Sequence, residues 1–136
     1  MKTEKKIRIL IVDDHIVIRE GLAAIFSLQP DLEVVGQAGD GIQALEQFEE
    51  TQPDLVLMNL RMPRMDGLTA TSKIMEISPD ARILIYTMGA DPATHARALQ
   101  AGARGVILKD APAALLVQAI RDAANDRPVS TNNTIV

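Results

Sequence analysis

The chain has no cysteine and no tryptophan. Without cysteine there can be no disulfide, no thiolate nucleophile and no thiolate-bound zinc or iron–sulfur site. Aromatic residues are nearly missing too: Phe26, Phe48 and Tyr86 are the full set among 136 residues. The core must therefore be aliphatic, and there are too few rings for a platform that stacks single-stranded nucleic acid. Two histidines, His15 and His95, are too few for a histidine-rich metal site. Basic excess is also lacking. Against 18 acidic residues stand 14 basic ones, a net charge of −4 with no basic stripe. The segment is not built to grip DNA phosphates by itself. No apolar run approaches the roughly 18 residues of a membrane span, and Lys2–Lys6 leads only into Ile7–Val12 before Asp13. Together these absences describe a cytoplasmic protein without a membrane segment.

What is present is an ordinary globular balance, 47% hydrophobic and 24% charged, in a length that suits one domain. Short runs rich in β-branched residues alternate with helical patterns. Ile7–Val12, Leu32–Val35, Leu55–Met58, Ile83–Tyr86 and Val106–Leu108 read as strands bounded by turn residues. All but the second carry little polar interruption, as suits parallel strands covered on both faces. Helical periodicity fills the gaps. Ile18, Leu22, Ile25 and Phe26 share one face within His15–Leu28, and Ile42, Leu45 and Phe48 do the same next, with Glu46, Glu49 and Glu50 outward. Leu68–Ile77, Pro92–Gln100 and Ala113–Ala123 complete five helices. The alternation predicts an α/β fold of the flavodoxin-like kind: a five-stranded, doubly wound parallel sheet in order 2-1-3-4-5 with right-handed crossovers. Two helices lie on one face and three on the other, with Ile9, Ile11, Val56, Met58, Leu84 and Ile107 buried. Residues 1–6 read as an N-terminal extension, 7–126 as the domain, and 127–136 as a linker or tail.

In an open α/β sheet, ligands sit beyond the carboxyl ends of the strands, at the switch point. The first strand ends at Asp13 and Asp14, the third at Asn59, the fourth at Thr87 and the fifth at Lys109. Singly, each has a plain explanation. Asp13 or Asp14 can cap the first helix, Asn59 can hold a left-handed turn, Thr87 can open a turn and Lys109 can be a solvated strand end. Jointly they fall on one edge. Paired carboxylates suit Mg²⁺, which binds through one or two carboxylates, several waters and a phosphate. A lysine and a hydroxyl suit phosphoryl oxygens. The missing part is a carboxylate nucleophile at the third strand end, where the chain has an amide.

With those residues in view, the chain resembles the receiver (CheY-like) domain of a two-component response regulator, over residues 7 to 126. The resemblance rests on Ile9–His15 (ILIVDDH), Pro53–Pro63 (PDLVLMNLRMP), Met65-Asp66-Gly67, Thr87 and Lys109-Asp110. Arg19-Glu20-Gly21-Leu22, Ala101–Gly105 and the lack of a proline after Lys109-Asp110's lysine resemble the LuxR-type DNA-binding branch. The resemblance implies that Asp13, Asp14 and the backbone carbonyl of Arg61 hold Mg²⁺. It implies that Thr87 and Lys109 meet the phosphoryl group, and that Asn59 stands where the family has its phospho-accepting aspartate. A carboxamide cannot form the acyl phosphate, although its neutral oxygen can still face a metal, with cation binding weakened by the lost charge. It marks either a deliberate block or a natural receiver that does not use phosphoryl transfer. Val106 departs as well, standing where many members place a switch aromatic.

The implied function is signalling rather than catalysis of metabolism: a receiver that in its family takes phosphoryl from a sensor histidine kinase. DNA would be met only through a helix-turn-helix domain beyond Val136, and a homodimer through the receiver fits the same scheme. The alternative is a phosphorylation-independent pseudo-receiver that acts by protein–protein contacts. A phosphohydrolase would need a second aspartate two residues after its nucleophile, where Asp13-Asp14-His15 has histidine. A flavodoxin would need a Ser/Thr/Gly-rich phosphate loop where this chain has two carboxylates.

Overall fold

A computed structural model describes residues 5–129, so the outer parts of the expected N-terminal extension and C-terminal tail lie outside the described residues. Ten elements alternate strictly. They are β1 (Ile7–Val12), α1 (Ile16–Ser27), β2 (Leu32–Ala38), α2 (Gly41–Thr51), β3 (Leu55–Asn59), α3 (Gly67–Ile77), β4 (Ile83–Thr87), α4 (Pro92–Gln100), β5 (Gly105–Leu108) and α5 (Ala113–Ala124). The sheet order is β2-β1-β3-β4-β5, and every pairing is parallel. The chain reverses its winding between β1 and β3, which opens the crevice at their carboxyl ends.

Alternation along each strand divides the core in two. Leu10, Val12, Val56, Met58, Ile83, Ile85 and Val106 face α2, α3 and α4, meeting Ala44, Phe48, Ala70, Ile74 and Ala98. Ile9, Ile11, Leu55, Leu57, Leu84 and Ile107 face α1 and α5, meeting Leu22, Phe26, Leu116, Ile120 and Ala123. The six residues expected to be buried are each at most 1% exposed. Full burial of side chains of this size stabilises by roughly 1.5–3 kcal/mol each, so the sheet is the rigid floor of whatever its edge carries.

Four details differ from the sequence reading. β2 runs on to Ala38 rather than stopping at Val35, with a register shift where Ile9 pairs Val34 and Leu10 pairs Gly36. As an edge strand it tolerates the polar Gln37. Ile42 is 37% exposed, because Ala44 and Phe48 carry the packing of α2 on the sheet while Gly41 abuts Met65 of the β3–α3 loop. His95, which its place on the fourth helix would leave solvated, is half-buried. Past Asp126 the chain is still docked: Arg127 bonds Asp122, and Val129 packs against the α5 side of the core beside Gly105.

Three helices begin with an aspartate whose carboxylate accepts a backbone N–H three residues on: Asp40 from Gln43, Asp66 from Thr69, and Asp91 from Thr94. Helices α1 and α5 differ; α5 follows Pro112, and α1 matters for the edge. The cap residue of α1 is His15, which makes no side-chain cap bond. Neither Asp13 nor Asp14 caps the helix, and both carboxylates are left for other work.

Candidate functional site at the carboxyl edge of the sheet

The strand ladder sets the edge. The backbone N–H of Asp13 donates to the Ala38 carbonyl at 3.0 Å, and that of Lys109 to the Thr87 carbonyl at 2.7 Å. Pairing thus continues one residue past β1 and β5 and fixes where both side chains leave the sheet. Across a sequence separation of 96, the Lys109 Nζ donates to Asp13 Oδ2 at 2.6 Å. Both side chains are largely buried, 8% and 2% exposed. Asp13 Oδ1 accepts from the His15 N–H at 2.9 Å and lies 3.0 Å from its Nδ1. The Arg19 guanidinium donates to the Asp13 carbonyl at 2.6 Å.

Asp14 is exposed, and its Oδ1 accepts from Asn59 Nδ2 at 3.1 Å. The same nitrogen donates to the Arg61 carbonyl at 2.9 Å. Asn59 therefore reaches both Asp14 and Arg61, the company expected of it, but turns its nitrogen rather than its oxygen toward them. Carboxylate and carbonyl oxygens only accept, so an amide placed between them must present N–H. Ligand atoms of Asp13, Asp14 and His15 all lie within 4.8 Å of one another.

Thr87 is buried at the end of β4. Its hydroxyl donates to the Gly89 carbonyl at 3.2 Å, so the β4–α4 turn holds it in place. A cavity of about 460 Å³ is lined by Asn59, Thr87 and Lys109 together with His15, Arg61, Met88 and Gly89. Lys109 Nζ also lies 5.7 Å from the centre of the Tyr86 ring. Burial, with a smaller push from the Asp13 charge, raises the Tyr86 hydroxyl above its ordinary pKa. At the expected switch position, Val106 is fully packed beside Ile85, and no aromatic ring stands there to swing.

Sequence reasoning missed the supports of the β3–α3 loop. Arg64, at φ 66°, places both its Nε and Nη2 on Asp40 Oδ2 at 2.9 and 2.7 Å. Burial pushes the Asp40 carboxyl up, but the Gln43 N–H and Arg64 outweigh it and hold it below the ordinary carboxylate range. The Gly41 N–H bonds the Met65 carbonyl at 3.0 Å. Gly67 sits so close to β3 that a Cβ there would be 2.1 Å from the Asn59 carbonyl oxygen. The Met-Asp-Gly triplet was a legible signal for that glycine; nothing local marks the Asp40–Arg64 pair, which is 24 residues apart.

Two acidic side chains and a backbone carbonyl form a hard-oxygen donor set that fits Mg²⁺. A buried ammonium and a positioned hydroxyl line the cavity beside it. The arrangement is a polar pocket with a cation-compatible donor set, at the carboxyl edge of a doubly wound sheet.

The chain belongs to the response regulator receiver domain family, whose pattern it matches over residues 9–121. It is 50% identical over 103 residues to the uncharacterized transcriptional regulatory protein YhcZ of Bacillus subtilis, covering 76% of this chain and 48% of that one. The solved structure of a LuxR-family two-component response regulator from Aurantimonas superposes with a TM-score of 0.90 at 37% identity, over 95% of this chain and 92% of that one. The CheX–CheY–BeF3–Mg complex of Borrelia burgdorferi gives a TM-score of 0.79 at 28% identity, over 84% of this chain and 86% of that one. The chain spans about half the length of the curated relatives it matches. It is a LuxR-type receiver domain of a two-component response regulator, with the CheY-like fold.

Proposed function

We propose that this receiver is the input half of a cytoplasmic transcriptional regulator, addressed by a sensor histidine kinase and acting on DNA through a separate output domain. In this reading residues 7–126 are the receiver unit, residues 1–6 an extension and the segment from residue 127 the connection to the output domain. Asn59 occupies the acceptor position. Asp13, Asp14 and the Arg61 carbonyl would hold Mg²⁺, with Asn59 as a weaker fourth partner. When bound, the cation screens the charge of an incoming phosphoryl group. Thr87 and Lys109 are the catalytic pair, one giving a hydrogen bond and the other a charge to phosphoryl oxygens. Lys109 is already seated, held by Asp13 on one side and the Tyr86 ring on the other.

The observation that carries the reading is the meeting of Asn59, Thr87 and Lys109 in one cavity, with the Asp13 and Asp14 carboxylates at its edge. The amide at position 59 cannot serve as nucleophile, so this chain should not be phosphorylated there. Beryllofluoride, a tetrahedral stand-in for phosphoryl that coordinates a carboxylate oxygen, tests the site. With Mg²⁺, the Asn59→Asp variant should show bound fluorine resonances by NMR and the unaltered chain none. Bound resonances in neither protein would overturn the reading.

A second reading, a receiver that signals by protein–protein contact without phosphate, is favoured by one feature. The Asn59 amide already satisfies Asp14 and Arg61. A homodimer through the receiver is compatible with both readings.

A further inference from the structure

We infer that the Asn59 carboxamide is a built-in brace that competes with a divalent cation for the oxygens of this pocket. The inference rests on reading the edge as a cation site. One nitrogen, Asn59 Nδ2, spends its two hydrogens on Asp14 Oδ1 at 3.1 Å and the Arg61 carbonyl at 2.9 Å. It thereby ties the β1–α1 turn to the β3–α3 loop. Asp13 has its own donors, Lys109 Nζ at 2.6 Å and the His15 N–H at 2.9 Å. Both oxygens of Asp13, one oxygen of Asp14 and the Arg61 carbonyl thus have a protein donor in place, while Asp14 Oδ2 stays open to a cation.

The consequence follows from the chemistry of the groups. A cation that bridges Asp14 Oδ1 and the Arg61 carbonyl must take the place between them that the amide nitrogen now holds. To become a ligand itself, Asn59 must turn its carboxamide over and present Oδ1, giving up both hydrogen bonds, one of them to a charged acceptor. An aspartate at this position offers no donor and adds a negative charge facing Asp14. With aspartate the two loops would depend on a cation for their arrangement; with asparagine they do not. Asn59 is a positioning residue that makes the pocket's geometry independent of Mg²⁺. The supports at Arg64–Asp40 and Gly67 hold the same loop from its far side.

The test compares the full chain with Asn59→Ala and Asn59→Asp. Mn²⁺ binding is followed by the electron paramagnetic resonance of the free ion, and hydrogen exchange of the segment 60–67 is measured in EDTA and in Mg²⁺. If the amide competes, Asn59→Ala should bind Mn²⁺ about fivefold to tenfold tighter than the unaltered chain, the worth of about one net hydrogen bond. In EDTA its 60–67 segment should exchange about tenfold faster, and Mg²⁺ should slow it again, while the unaltered chain exchanges alike in both. Asn59→Asp, which keeps the side-chain volume, should show the same dependence on Mg²⁺ and serves if the alanine variant loses sheet protection as well. Weaker Mn²⁺ binding by Asn59→Ala, or loop exchange unchanged by either substitution, overturns the brace while the cation pocket stands. Failure of all three proteins, Asn59→Asp included, to bind Mn²⁺ overturns the pocket and the brace together.

Discussion

Lys109 and Asp13 meet at 2.6 Å from opposite ends of the sequence, and each is almost fully withdrawn from water. A buried ion pair is weak evidence of net stability, because desolvation opposes its attraction. Breaking one half is a different matter. Lys109→Met leaves a buried carboxylate met only by His15, through its backbone N–H and its ring, and should cost about 3–5 kcal/mol at pH 7. Adding Asp13→Asn should recover a substantial part of the loss, because the stranded charge is gone. Urea melts of the two single variants and the double variant measure this; equal costs for Lys109→Met with and without Asp13→Asn would show that the pair is not coupled.

Thr71 carries the one buried side-chain polar atom without a hydrogen-bond partner among the described residues. It lies on α3 at 0% exposure, between Ala70 and the core residue Ile74. Valine has nearly the same shape and no hydroxyl to desolvate. Thr71→Val should raise stability by about 1 kcal/mol, in a denaturant melt of unchanged slope. A loss of that size would reveal a partner for the hydroxyl.

Much of this was legible in the sequence. Strand order, the two-and-three division of helices and the residues at each strand end follow from one regular alternation, because parallel strands buried on both faces leave an uninterrupted apolar signature. What the residues do to one another was less legible. That Asp13 is claimed by Lys109, and so does not cap α1, depends on a contact across the whole chain. The orientation of the Asn59 amide depends on two acceptors that converge only after folding. The outward turn of Ile42 reflects how α2 seats on the sheet through Ala44 and Phe48 and on the Met65 loop through Gly41, which periodicity does not show. The length of β2 was missed because an edge strand need not be apolar throughout.

At the opposite end of the sheet, Asp126 draws α5 down onto the starts of β4 and β5. It accepts two bonds from Arg82, at 2.9 Å each, and one from Arg104 at 2.7 Å. Those bonds, Arg82 first, hold its carboxyl far below the ordinary value of 3.8. A folded-state pKa below the unfolded one stabilises wherever the carboxylate is charged. The contribution is complete above the ordinary value and is lost as pH falls through the depressed one. Asp126→Asn should therefore melt at a lower temperature than the unaltered chain at pH 7. Asparagine tolerates the positive φ of 58° here, so the change is one of charge rather than of backbone. The gap should narrow steadily as pH falls below about 4, because the unfolded chain then takes up a proton that the native carboxyl still resists. A gap that persists unchanged into that range would assign the effect to something other than ionisation.

Under the proposed function, a single amide separates this pocket from phosphoryl transfer. In such transfers a protein mainly positions groups and stabilises charge, so restoring the nucleophile should be sufficient. The measurement is intact mass after incubation with acetyl phosphate and Mg²⁺. The unaltered chain should gain nothing at Asn59. Asn59→Asp should gain one phosphoryl group that mild base removes, as an acyl phosphate requires, and Lys109→Ala added to it should abolish or uncouple that response. An Asn59→Asp protein that stays unmodified where an ordinary receiver reacts would contradict the claim.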